Sequence, residues 1–270
     1  FGSTVVHGIH LFLRALDSFA LQGLLKRQSP AALTATFFSP AVTNSMVSVH
    51  AETAGSKVRL RARQGDVEVF TGSVELGEVS DHRAILPDES YEPASPADLD
   101  FPPSAPEGRV PLRLRRSLLS ALFPSLARLA DVSWIADIVA TTQVVGMRCP
   151  GMNSIYSGFR LRCRHAPAVT SSLLYRVSEM EHRLTLLRIH VAGARLEGVI
   201  ETFFRARPAQ QRSMAAIADF VPRGIFSGHH ALVIGGSRGL GELTAKIVAA
   251  GGADVTLTYA RGHADAERVG

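Results

Sequence analysis

The sequence predicts an α+β protein: two helix-and-antiparallel-sheet units followed by the first β-α-β of an α/β domain. Three observations carry this. An apolar helical stretch followed by short alternating runs occupies residues 1–78, and the same order of elements returns over 109–206. A proline-rich segment, 79–108, separates the two, and 207–228 forms a second junction. Over 229–270 an apolar strand runs into a glycine-rich turn that opens a helix, with another strand behind it. Helix followed by meander, twice, suggests a duplicated α+β unit. The two copies share pattern more than identity.

The first helix is expected from Val5 to Leu25. Runs at Leu33–Phe38, Met46–Ala51, Lys57–Arg63 and Val67–Val74 follow it. In Lys57-Val58-Arg59-Leu60-Arg61-Ala62-Arg63 cationic and apolar residues alternate, as in a strand with one solvated face. Gly55-Ser56 and Gly65-Asp66 separate runs at hairpin distance. Pro87, Pro93, Pro96, Pro102, Pro103 and Pro106, mixed with Asp, Glu and Ser, give 79–108 the composition of a linker. The second unit is expected to hold one long helix from Pro124 to Val145. Runs around Ile155–Cys163, Leu173–Val177, Leu184–Val191 and Leu196–Phe204 follow, with Gly193 at a turn between the last two. Leu126, Leu129, Trp134, Ile135 and Ile138 read as core of that helix rather than as an acyl-chain site. Met214–Phe220 predicts a short helix broken by Pro222 and Gly224.

Composition bounds the function. Hydrophobic residues make up 46% and charged residues 20%, as in ordinary globular proteins. No apolar run reaches the roughly 18–20 residues that a membrane span needs, and the first residues lack the layout of a signal peptide. A cytoplasmic protein without a membrane span is expected. Cys149 and Cys163 fit neither a zinc spacing nor a disulfide framework and read as packing residues. No metal is expected. The net charge of +5 suits polyanionic partners such as nucleotide phosphates, coenzyme A or an acidic carrier protein. The densest basic run, Arg109 to Arg116, reads as a solvated edge or a contact for an acidic partner. Nucleic acid is not expected, because no aromatic residues interleave the arginines.

The glycine-rich turn is the most specific motif. Strand Ala231–Ile234 leads into Gly235-Gly236-Ser237-Arg238-Gly239-Leu240-Gly241. A helix Leu240–Ala250 follows, with apolar residues at Leu240, Leu243, Ile247 and Val248, then Gly251-Gly252 and strand Val255–Tyr259. Glycines there let backbone N–H groups and a helix N-terminus approach a pyrophosphate. The spacing Gly235-x-x-x-Gly239-x-Gly241 resembles the T-G-x-x-x-G-x-G fingerprint of short-chain dehydrogenases/reductases, with Ile234 in place of the threonine. The resemblance implies a Rossmann-type domain and a nicotinamide cofactor held by Gly235, Ser237, Arg238, Gly239, Leu240, Gly241, Ala260 and Arg261. No carboxylate ends the second strand, and Asp254 precedes it. Arg238 and Arg261 would suit a 2′-phosphate, so NADP is expected over NAD. The plain alternative is two surface arginines. The family's catalytic Ser and Tyr-x-x-x-Lys have no counterpart up to Gly270.

At the other end, Phe1-Gly2-Ser3-Thr4-Val5-Val6-His7-Gly8-Ile9-His10 resembles the segment opening the central helix of R-specific enoyl-thioester hydratases of the MaoC-like hot-dog family. In that fold a sheet wraps one long helix. The resemblance implies that the Gly8 N–H forms part of an oxyanion hole for a thioester carbonyl. The family's acid/base pair sits in a D-x-N-P-x-H segment that this sequence does not contain. His7 and His10 read as packing or capping residues rather than bases. Phe37-Phe38-Ser39-Pro40-Ala41-Val42 resembles the family's F-x-x-P-V strand entry. Gly146 to Gly158 resembles the passage from central helix to next strand, often P-G-x-x-S-I-Y. That second copy lacks the His-Gly start, so it is expected to be a non-catalytic hot-dog unit whose sheet pairs with the first in a pseudo-dimer.

Together the resemblances imply an internal piece of a bifunctional acyl-thioester enzyme, a 3-hydroxyacyl dehydratase/enoyl hydratase joined to an NADP-dependent 3-oxoacyl reductase. Its partner would be an acyl-CoA or an acyl carrier protein, and it is a candidate homo-oligomer. The piece alone is expected to be nearly inert. The alternative is a non-catalytic hot-dog module that binds or dimerises a short-chain reductase.

Overall fold

Period-two alternation builds most of the larger of two units, residues 3–206; the smaller covers 207–270. The computed structural model describes residues 5–21, 29–77, 95–97, 99, 101–129, 131–164, 168–205, 211–260 and 262–270. The larger unit begins with strand β1 (Val5–Val6) and helix α1 (Gly8–Leu21). Strands β2 (Ser29–Phe37), β3 (Ala41–Val42), β4 (Ser48–Ala54), β5 (Lys57–Gln64) and β6 (Val67–Gly77) follow. Next come β7 (Glu107–Pro111), helices α2 (Arg116–Leu122) and α3 (Ser133–Gln143), and β8 (Ser154–Cys163), β9 (Ser172–Glu181), β10 (Leu186–Ala192) and β11 (Leu196–Phe204).

Nine of these strands form one antiparallel sheet in the order β4-β5-β6-β2-β8-β11-β10-β9-β7. The β2–β8 pairing joins the two repeats, from Ala32 opposite Arg162 to Thr36 opposite Gly158. The expected pairing of sheets is therefore present, and the two repeats are halves of one unit with one core. Alternation along β5 shows why. Val58, Leu60 and Ala62 are buried, while Arg59, Arg61 and Arg63 face solvent. Ion pairs mark the outer face across the sheet: Lys57–Glu75 (3.1 Å), Arg61–Glu68 (3.1 Å), Arg160–Glu201 (2.8 Å) and Arg162–Glu197 (2.8 Å). Being exposed, they add little stability.

Helices α1 and α3 fill the inner side. Phe12, Leu13 and Leu16 of α1 are almost fully buried, as are Leu126, Trp134, Ile135 and Ile138, with Leu129 half-buried, so the residues expected in the core are there. The Phe12 ring meets Phe70 of the first half (6.1 Å between centroids) and Phe159 of the second (5.1 Å). Edge-to-face rings of this kind add to the area they bury.

Several expectations need correction. Val5 and Val6 are not helical; they pair with Val42 and Ala41 in β1–β3. Leu24 and Leu25 lie outside the described residues, as does most of the expected linker. The single helix Pro124–Val145 is broken into a 3-10 turn (Leu126–Arg128), α3 and a wide π turn (Val144–Arg148). Asp131 makes the break: its Oδ1 accepts the Ser133 N–H at 2.9 Å, a local bond that competes with helix. The π turn stops before Pro150, which cannot continue a helix. Strand β7 starts inside the expected linker and borders the sheet, and α2 occupies the end of the arginine-rich run.

The smaller unit holds α4 (Met214–Ala218), β12 (His230–Ile234), α5 (Gly239–Ala250), β13 (Asp254–Thr258) and α6 (His263–Val269). β12 and β13 pair in parallel with His230 opposite Asp254, as a β-α-β unit requires. The apolar stripe expected of α5 is only partly covered: Leu243 and Val248 are half-buried, Leu240 is 81% exposed and Ile247 36%, whereas Glu242 and Ala245 are buried. On its covered side α5 meets α4, and Glu242 pairs with Lys246 at 2.6 Å. No helix among the described residues is long and apolar enough to cross a membrane.

Candidate functional site

The first candidate lies where the N-terminus of α1 meets the second half of the sheet. Gly8 is the first residue of the helix, and its N–H has no hydrogen-bond partner among the described residues. The next N–H, of Ile9, is taken by Nδ1 of His7 at 3.2 Å. His7 thus caps its own helix, in line with the capping role expected of it. A Cβ on Gly8 would stand 2.7 Å from the Phe37 ring, so glycine is what lets that ring lie over the helix start. Tyr156 of β8 comes from the other half, with ring contacts to His7 (6.1 Å) and Phe37 (5.9 Å). Its hydroxyl donates to Thr141 Oγ1 on α3 at 2.9 Å. Burial pushes the Tyr156 phenol well above its ordinary pKa, so it stays protonated as a donor.

His7 is exposed at the surface, yet protein crowds its ring, and burial followed by the nearby His10 lowers its pKa. His10 packs on Phe123 (5.1 Å); burial first, then Arg14, lowers its pKa too. Both are neutral near pH 7. Neither is paired with a carboxylate among the described residues. The arrangement can receive a polar carbonyl at the Gly8 N–H beside an apolar, aromatic wall. It holds no acid/base dyad among those residues. Phe1 to Thr4 of the quoted motif lie outside the described residues. Sequence reasoning missed Tyr156 as a neighbour of His7, Thr141 as the acceptor of its hydroxyl, and Phe123 as a neighbour of His10. No spacing signal could have found them, because the contacts cross the seam between halves.

The second candidate is the glycine turn. Gly235 (φ +78°) and Gly239 (φ +59°) take left-handed backbone that favours glycine. A Cβ on Gly241 would run into the carbonyl oxygen of Gly235, so the turn could not close on the helix. The Gly236 N–H donates to the Thr258 carbonyl at 2.9 Å, tying the turn to the end of β13. Ser237 is buried, and Leu240 lies open at the start of α5. Gly235, Ser237, Arg238, Gly239, Leu240 and Gly241 therefore come together as one cradle at a helix N-terminus. Arg238 pairs with Asp265 of α6 at 3.1 Å, a partner the sequence did not suggest. Ala260 follows β13 at the same end of the strands, and Arg261 lies outside the described residues. Asp254 starts β13 beside His230, at the end away from the turn.

Two buried carboxylates on the central helices were not expected at all. Asp17 of α1 accepts the N–H groups of Ser125 (2.8 Å) and Leu126 (2.9 Å), joining the halves. Asp137 of α3 accepts three: Ala194 (3.0 Å), Arg195 (2.6 Å) and Leu196 (2.7 Å). Burial pushes the Asp137 carboxyl up from its ordinary value, and those three bonds pull it back. These groups organise structure. Burial raises the thiols of Cys149 to about 11 and Cys163 to about 12, so neither is poised as a nucleophile. Among the described residues no cluster of three His, Cys, Asp or Glu is placed to hold a metal ion.

No protein-family model matches the chain, and no curated protein matches it. Solved structures give distant likenesses. A MaoC-like dehydratase is 11% identical with TM-score 0.45, covering 76% of this chain and 86% of that one. An acyl-CoA thioesterase II, TesB2, from Mycobacterium marinum is 13% identical with TM-score 0.42, covering 78% and 92%. A tesB protein from Mycobacterium avium subspecies paratuberculosis is 14% identical with TM-score 0.41, covering 75% and 88%.

Proposed function

We propose that this chain belongs to a bifunctional acyl-thioester enzyme of fatty-acid or polyketide type metabolism. In this reading the 3–206 unit is a double hot-dog that binds the thioester of an acyl-CoA or acyl carrier protein. The reaction is reversible hydration of an enoyl thioester: water adds across the double bond, hydroxyl at C3 and hydrogen at C2. The observation that carries the reading is the Gly8 N–H at the start of α1, which has no partner among the described residues and lies under Phe37, itself packed on Tyr156 from the other half. A dipole-assisted N–H there stabilises a carbonyl oxygen as it gains negative charge.

The test isolates that N–H. Gly8→Ala and Gly8→Pro both add a Cβ, but only proline removes the N–H, and proline suits the first helical position. Binding of crotonyl-CoA to this chain is measured by calorimetry, and its hydration, by loss of enoyl absorbance, in the longer enzyme that the reading implies. Gly8→Pro is expected to fall about tenfold or more below Gly8→Ala. Equal values for the two variants would sink the assignment. The second reading, a non-catalytic binding module, is favoured by the lack of a carboxylate partner for His7 and His10 among the described residues. It predicts thioester binding without turnover in the same assay.

The smaller unit is read as the start of a Rossmann-type reductase. Gly235, Ser237, Arg238, Gly239, Leu240 and Gly241 would hold the pyrophosphate and 2′-phosphate of NADP. The cofactor would supply hydride for reducing a 3-oxoacyl thioester. Support comes from a turn that needs glycine at Gly235 and Gly239 and that a Cβ at Gly241 would keep from closing on the helix. Arg238→Ala is expected to weaken NADPH binding about tenfold while leaving NADH binding unchanged, measured by fluorescence titration. Equal affinity of the unaltered protein for NADPH and NADH would refute the preference.

A further inference from the structure

Strand β4 is the free edge of the nine-stranded sheet among the described residues. All seven of its residues, Ser48 to Ala54, are exposed on both faces. It carries no proline and no lysine, and its register with β5 is uninterrupted. The opposite edge, β7, is shorter and ends in Pro111.

The direction of the free backbone groups follows from the hairpin. Ala54 faces Lys57 across the two-residue turn Gly55-Ser56, with Gly55 at φ +60°. In such a hairpin the residues flanking the turn exchange hydrogen bonds. Alternation then directs the N–H and C=O of Ala54, Glu52, His50 and Ser48 toward β5. Those of Thr53, Ala51 and Val49 point outward, away from the sheet.

We infer that β4 pairs antiparallel with β4 of a second copy of this chain, about a two-fold axis at Ala51. That axis puts Ala51 opposite Ala51 and Val49 opposite Thr53, so all three outward residues become hydrogen-bonded pairs. It also puts His50 opposite Glu52, twice. These are the closer, non-hydrogen-bonded pairs, and both side chains lie on the outer face with Arg61 and Arg59 beside them. A histidine N–H there meets a carboxylate at each end of the contact. Val49, 40% exposed, lies over the two-fold from Thr53, two β-branched side chains on the inner face. The segment is self-complementary in hydrogen bonding, charge and shape, as an isologous contact requires. The result is one sheet running through two chains. The inference is independent of the thioester and nucleotide readings.

The test uses the whole chain in sedimentation equilibrium. A concentration-dependent monomer–dimer equilibrium is expected. Ala51→Pro removes an outward N–H and no bond to β5, so circular dichroism, and melting temperature at concentrations where the unaltered chain is monomeric, should be unchanged while the dimer is lost. His50→Glu sets like charges opposite each other twice and is expected to weaken the dimer about tenfold or more. The exchange His50→Glu with Glu52→His restores opposite pairs and should restore the dimer. A dimer that survives Ala51→Pro overturns the proposal. So does a chain that stays monomeric at every concentration, or an exchange variant no better than His50→Glu.

Discussion

Asp137→Ala is expected to cost about 3–5 kcal/mol of stability. The carboxylate is fully buried and accepts the N–H groups of Ala194, Arg195 and Leu196, at the turn between β10 and β11. Removing it leaves three donors in a place that water does not reach. Alanine offers no acceptor in return. Arg195 keeps its Asp131 partner at 2.8 Å, so the loss belongs to the three backbone donors rather than to a stranded cation. Urea unfolding followed by circular dichroism gives the number, and the melting temperature should fall on the order of 10 °C. A loss below about 1 kcal/mol would mean that water or a side chain replaces the carboxylate, contrary to the geometry.

Phe12→Ala is expected to cost a similar amount, about 3–5 kcal/mol, for an unrelated reason. Its ring is fully buried between Phe70 of the first half and Phe159 of the second. Truncation removes apolar area and leaves a cavity at the place where helix and both halves meet. Phe12→Leu keeps most of the volume and should lose less than half as much. Because the ring touches both halves, the 3–206 unit should still unfold in one transition after the change. Two separated transitions, seen by urea denaturation at two wavelengths, would show that the halves are independent.

Much of this architecture is legible in the residues themselves, where the signal is local. The β11 run Leu196–Phe204 falls where alternation places it, and Gly55 and Gly65 stand at the two hairpin turns. The glycine turn reads directly because glycine answers a demand of the backbone, not of a neighbour. Other features were hidden for identifiable reasons. The break before α3 depends on Asp131, whose Oδ1 takes both the N–H and the hydroxyl of Ser133 within an otherwise helical apolar pattern. β7 buries only Val110 of its five residues and lies among prolines, so no alternation marks it. The aromatic wall around Gly8 could not be read, because Tyr156 reaches His7 only after β2 and β8 have paired. The pairing of Arg238 with Asp265 likewise needs α6 in place.

That β2–β8 seam has a consequence for how the protein comes into being. β2 leaves the ribosome well over a hundred residues before the strand that completes it. Until then the first half carries an open strand edge and a helix face with half of its aromatic lining missing. Its final form waits on a contact of long sequence separation, the slowest kind to make. The nascent chain therefore spends its most adhesive period before the seam exists, and sound production depends more on shielding that interval than on the stability of the finished sheet.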